Sequence, residues 1–139
     1  MTGAIVYILG VTSGVNALIG GSTSPRVFAL YAPASVSLPY IIVEQDGDDP
    51  SDNKSGVSAL DQGLISVTII ATEYGDARDI ANQVRVALDR YSGTVTSGDL
   101  SWEIQSIQYL DINEDIGPGI GDEGVVLIEH RYKIREVTT

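Results

Sequence analysis

The chain has 139 residues, 43% of them hydrophobic and 19% charged, with no cysteine. That suits one domain, residues 1–139, with a core that needs no staples, and it excludes disulfide frameworks, thiolate metal sites and cysteine nucleophiles. Acidic side chains outnumber basic ones 19 to 8, for a net charge of −11; this disfavours proteins that grip phosphates or anionic membranes, yet suits a surface past which DNA slides without sticking.

The first apolar segment starts near Gly3. Ala4, Ile8, Val11, Val15, Leu18 and Ile19 recur at helical spacing, so one helix is expected up to the Gly20-Gly21 stop. No Lys or Arg precedes Ala4–Val11, and polar residues interrupt the run, so neither a signal peptide nor a membrane span is expected there. Two strands follow, Arg26–Tyr31 and Tyr40–Gln45, separated by a link holding Pro33 and Pro39. From Asp46 to Asp61 the composition turns acidic and polar, which predicts a long exposed loop or arm.

Gly63–Thr72 is rich in β-branched residues and reads as a central strand. Asp76 is placed to cap the next helix, in which Ala77, Ile80, Ala81, Val84, Ala87 and Leu88 form an apolar stripe. Two long strands close the chain. In the first, the apolar phase shifts between Ile104, Ile107, Tyr109 and Leu110, which predicts bulges. In the second, Val126, Ile128, His130, Tyr132 and Ile134 alternate with Leu127, Glu129, Arg131, Lys133 and Arg135. A glycine-rich hairpin, Gly117–Gly124, joins them. The expected order is α-β-β-β-α-β-β: a single α+β domain with an antiparallel β-sheet packed by two α-helices and a long acidic loop.

Chemistry is harder to find. A catalytic triad would have to pass through His130, the one histidine, which falls on the apolar phase of its strand. Gly117, Gly119 and Gly121 are not followed by the Lys and helix that a phosphate cradle needs, so they read as turn formers. Asp111, Asn113, Asp115 and Asp122 have the oxygen-rich spacing of a weak calcium candidate. Glycine, however, arrives one place too late for the EF-hand turn. No catalytic residue, cofactor or firm metal site is expected. The charge segregation is more informative: Asp46, Asp48, Asp49 and Asp52 lie in the acidic segment, whereas Arg131, Lys133 and Arg135 share one face of the last strand.

The helix ending in "NALIGG", the run "RVFALYAPASVSLPYIIVEQ" and the acidic loop carry a family pattern. It continues through "GLISVTIIAT", "DARDIANQVRVALD", "SWEIQSIQYLDINED" and "VVLIEHRYKIREV". Together these resemble the small tail-completion (tail terminator) proteins of long-tailed bacteriophages and related gene transfer agents. The resemblance implies a structural virion protein at the tail–neck junction, made in the host bacterial cytoplasm, and no enzyme. It implies a homo-oligomer, a hexameric ring, that caps the tail tube protein, stops its polymerisation and meets a head-connector or neck protein. DNA would pass through the lumen without specific binding, and no membrane would be involved. Under that reading the candidate contacts are three. They are the acidic segment with Asp46, Asp48, Asp49, Asp52 and Lys54, the hairpin with Gly117, Gly119 and Gly121, and the basic face of Arg131, Lys133 and Arg135. The alternatives are a neck or head-completion ring of the same particle and, further off, a calcium-dependent binding module.

Overall fold

A computed structural model describes residues 2–21, 25–33, 35–50, 60–117 and 125–137; for 47–50, 60, 61 and 117 it describes the backbone alone. Among these residues the order is α1 (Thr2–Val11), α2 (Ser13–Asn16), β1 (Val27–Ala29), β2 (Tyr40–Pro50), β3 (Leu60–Ala71), α3 (Tyr74–Leu88), β4 (Gly93–Ser97), β5 (Leu100–Gly117) and β6 (Val125–Val137). The strands form one sheet in the order β1-β2-β3-β6-β5-β4. Every neighbouring pair is antiparallel except β1 and β2, which run parallel.

The helices cover one face of the sheet. Ile65, Val67, Ile69 and Ala71 of β3 point to it, as do Ile128, Tyr132 and Ile134 of β6, and all are buried. They pack against Ile5, Ile8 and Leu9 of α1 and against Ala77, Ile80, Ala81, Val84 and Leu88 of α3. The period-two strand pattern and the 3.6-residue helix pattern therefore meet in one core. Gly3 lets α1 approach β5 closely: a Cβ there would lie 3.1 Å from the Trp102 ring. A smaller apolar cluster of Ile42, Ile70 and Val125 sits on the other face, flanked by Phe28, Leu38, Tyr40 and Leu127.

The α+β architecture and the bulges in β5 match expectation. The register slips between Ile104 and Ser106 and again between Tyr109 and Asp111, where the apolar phase shifts. Other details differ. The expected single N-terminal helix breaks at Thr12, which takes an extended conformation (φ −78°, ψ 115°) before α2. Its hydroxyl donates to the Ile8 carbonyl at 2.7 Å, a local bond that competes with helix continuation. The helices among the described residues thus number three rather than two, and β4 adds a strand absent from the expected order. The expected acidic loop is partly sheet, because β2 runs on to Pro50, paired with Asp61 of β3. Residues 51–59 lie outside the described residues. Asp76 does not cap α3; Glu73 holds the N-cap position without a side-chain bond, and Asp76 sits in the first turn.

Arg90, just past α3, has φ 66°, and its N–H donates to the Ile107 carbonyl at 2.8 Å. A side chain in that left-handed region costs about 1 kcal/mol, which glycine avoids, at some expense in unfolded-chain entropy. Arg90→Gly is expected to raise the melting temperature by about 2–4 °C. Thermal unfolding followed by circular dichroism checks this.

Candidate assembly surface

Among the described residues, the sheet face opposite the helices is open over β3, β6 and β5, and it carries Asp111 of β5 and the cations of β6. Arg131, Lys133 and Arg135 occupy alternate positions of β6. Arg131 stands between Ser66 of β3 and Asp111 of β5. Lys133 stands between Leu64 and Gln108, and Arg135 between Gln62 and Ser106. The Arg131 guanidinium donates to both Asp111 carboxylate oxygens, at 2.9 and 3.0 Å. This fork raises the guanidinium's pKa further above its ordinary value.

The β5 bulge makes that pair possible. Tyr109 faces Tyr132, and with no interruption Asp111 would face His130 on the buried side. The extra residue, Leu110, carries Asp111 one place on, to Arg131 and the open face. A second bulge acts similarly in β2, between Gln45 and Gly47. There Asp46 accepts a hydrogen bond from the Ser66 hydroxyl. Partial burial, then the nearby Asp46 carboxylate, raises the pKa of Glu129 above the ordinary carboxylate range, against a lowering by Arg131.

Asp111, Asn113 and Asp115 share the open face of β5, opposite Arg131, Glu129 and Leu127. Along an extended strand the outer two stand about 13 Å apart. Calcium ligands must all lie within about 2.6 Å of one ion, so these three do not converge on one. Asp122 lies outside the described residues, and among those described no group of three His, Asp or Glu is placed to hold a metal. Asp48 and Asp49 belong to β2, opposite Gly63 and Gln62. Gly117 ends β5 opposite Val125. Asp52, Lys54, Gly119 and Gly121 lie outside the described residues.

His130 is 3% exposed, and its Nδ1 shares a 3.1 Å hydrogen bond with the Tyr132 hydroxyl. Tyr109 meets it edge-on at 5.1 Å, and Arg85 of α3 lies 4.0 Å over the Tyr109 ring. Burial first, and then Arg85 and Arg78, lower its pKa to about 4, so it is neutral near pH 7. The alternation of β6 predicts this burial, but the aromatic cluster around it depends on the register with β5.

A groove of about 420 Å³ on the open side, lined by Leu30, Tyr31, Pro33, Leu38, Tyr40 and Ile70, has no counterpart in the sequence expectations. Exposed Leu30 and Tyr31 stand at its rim.

The Asp111–Arg131 pair is a local test of this surface. It is half exposed, at 52% and 43% of the two side chains, so water and salt screen it. Asp111→Asn is expected to shift the melting temperature by less than about 3 °C at low salt, and by nothing measurable in ~1 M salt. Scanning calorimetry in both buffers checks this.

The molecule is an α+β plate with helices on one face of its sheet and a charged strand face left open among the described residues. The chain belongs to the tail completion protein gp17 family, whose model matches residues 3–108. The match ends within β5, so β6 and its cations lie beyond it. The fold is similar to a chain in the virion of a native gene transfer agent particle, at a TM-score of 0.64 and 19% identity. That likeness covers 99% of this chain and 94% of the other. No curated protein matches the chain.

Proposed function

We propose that this chain is the subunit of a closed hexameric ring that caps the tail tube of a phage-like particle. The ring stops tube polymerisation and gives the head connector its joining surface, and DNA passes through the lumen. It resides in the virion at the tail–neck junction after synthesis in the host bacterial cytoplasm. The family match over residues 3–108 carries this reading. The fold likeness to a gene transfer agent virion chain over nearly the whole length supports it. So does the net charge of −11, which repels a passing polyanion instead of holding it.

The test is addition of purified protein to growing tail tubes of the same particle, viewed by electron microscopy. A ring of density on one tube end, with elongation halted there, is the expected result. Continued elongation with no bound protein overturns the reading. Binding to the head connector with bare tube ends assigns the chain to the neck instead.

A further inference from the structure

We propose that Lys133 and Arg135 seat the acidic outer edge of β2, at Glu44 and Asp46, of a neighbouring copy of this chain. The proposal rests on the ring reading above and names the surface through which one subunit meets the next.

The distribution of cations leads to it. Arg78 lies 3.7 Å from Glu114, Arg85 reaches Asp89 at 4.0 Å, and Arg131 is forked onto Asp111. Arg26 donates to the Pro39 carbonyl at 2.9 Å. Lys133 and Arg135 have no carboxylate within bonding reach among the described residues. Their strand neighbours on the open face are Leu64, Gln108, Gln62 and Ser106, none of them charged. In a chain of net charge −11, two adjacent cations on an uncovered strand face, fringed by amides and a hydroxyl, are built to receive carboxylates.

The same molecule presents a matching surface at its rim. β1 pairs with β2 only from Ile41 to Val43, so no described strand flanks β2 beyond that point. Glu44 and Asp46 are exposed there, on the open face beside Ser66 of β3. Within one copy β3 lies between β2 and β6, and among the described ion pairs none joins Glu44 or Asp46 to Lys133 or Arg135.

Charge also disfavours a simpler contact, in which the unflanked edges of β5 and β2 in two copies join into one continuous sheet. β5 from Leu110 onward has no described strand on its outer side, and it carries Asp111, Glu114 and Asp115. Setting that edge against Glu44 and Asp46 would place carboxylates opposite carboxylates, which destabilises strand pairing and is a known guard of open edges. The charge-matched contact runs from Glu44 and Asp46 of one copy to Lys133 and Arg135 of the next. When a copy's two patches engage two different neighbours, the contact is head to tail, and a head-to-tail contact closes into a ring when its rotation divides the circle.

The experiment is charge exchange, read by native mass spectrometry and by electron microscopy of rings in solution or on tube ends. Lys133→Glu with Arg135→Glu makes one variant, and Glu44→Lys with Asp46→Lys makes the other. Each alone is expected to lower ring yield roughly tenfold, and an equimolar mixture to restore it, because opposite charges again meet at every contact. Asp46 accepts the Ser66 hydroxyl, so Glu44→Lys paired with Lys133→Glu provides a second exchange that leaves that bond intact. Circular dichroism confirms folding of each variant. Folded variants that form rings like the wild type overturn this contact and leave the ring reading standing. A mixture that fails to restore rings overturns it too. A wild-type chain that forms no ring, free or on tubes, overturns both.

Discussion

Tyr132→Ala is expected to destabilise the protein by about 3–5 kcal/mol, the usual cost of deleting a large buried aromatic ring. Tyr132 is fully buried and sits on β6 between Ile65 of β3 and Tyr109 of β5. The Tyr109 ring meets it at 5.7 Å and 72°, and the His130 ring at 6.0 Å and 61°. Both are edge arrangements, worth more than the area they bury. Truncation leaves a cavity at the centre of the sheet and takes away the Nδ1 partner of His130. Against a total stability of about 5–15 kcal/mol, that loss is about a fifth or more. Tyr132→Phe separates the two contributions, because it keeps the ring and removes only the hydroxyl. It is expected to cost about 1–2 kcal/mol. Urea unfolding of the three proteins checks both values. Equal losses for the two variants would mean that the hydroxyl bond, not the ring, holds this part of the core.

Sequence patterns reach as far as local periodicity does. β3, α3 and β6 are legible because each repeats its own period over many residues, and that period selects the buried face. The β5 bulges are legible as existing, since its apolar phase shifts, but not in their consequence. Alternation puts Arg131 on the open face of β6; that Asp111 meets it depends on the extra residue Leu110, a matter of pairing between strands 20 residues apart. The N-terminal helix misleads for the opposite reason. Its apolar spacing continues past Thr12, and the break there, where the hydroxyl bonds the Ile8 carbonyl, leaves no mark on that spacing.

β4 is short and mostly polar, with Val95 its one buried side chain, so its pairing with β5 comes from tertiary context. The residues Asp46 to Pro50 have low strand propensity and join the sheet because β3 offers them a partner. The candidate surface was legible as charge segregation, whereas its division into a self-paired Arg131 and an uncommitted Lys133 and Arg135 required the register.

His130 gives the protein a defined acid sensitivity. Its pKa falls from the ordinary 6.5 to about 4 in the fold, chiefly because burial disfavours the charged form. Arg85 and Arg78 of α3 lower it further, while Glu114 of β5 opposes them. Between these two pH values the unfolded chain holds a proton on this ring that the folded chain does not, so acid favours unfolding. The neutral ring's contribution is complete above pH 6.5, shrinks as pH falls, and is gone near pH 4. A shift of that size corresponds to roughly 3 kcal/mol. The raised pKa of Glu129 acts with the opposite sign, since the folded carboxylate takes up its proton before the unfolded one does. Comparison with His130→Leu, which keeps Glu129, cancels that contribution. The wild type is expected to lose about 3 kcal/mol relative to the variant between pH 6.5 and pH 4, with a constant difference above that range. Urea midpoints across the range measure it. A difference that stays flat throughout would mean that the folded protein lets this histidine charge freely, and that the aromatic cluster does not shut out water.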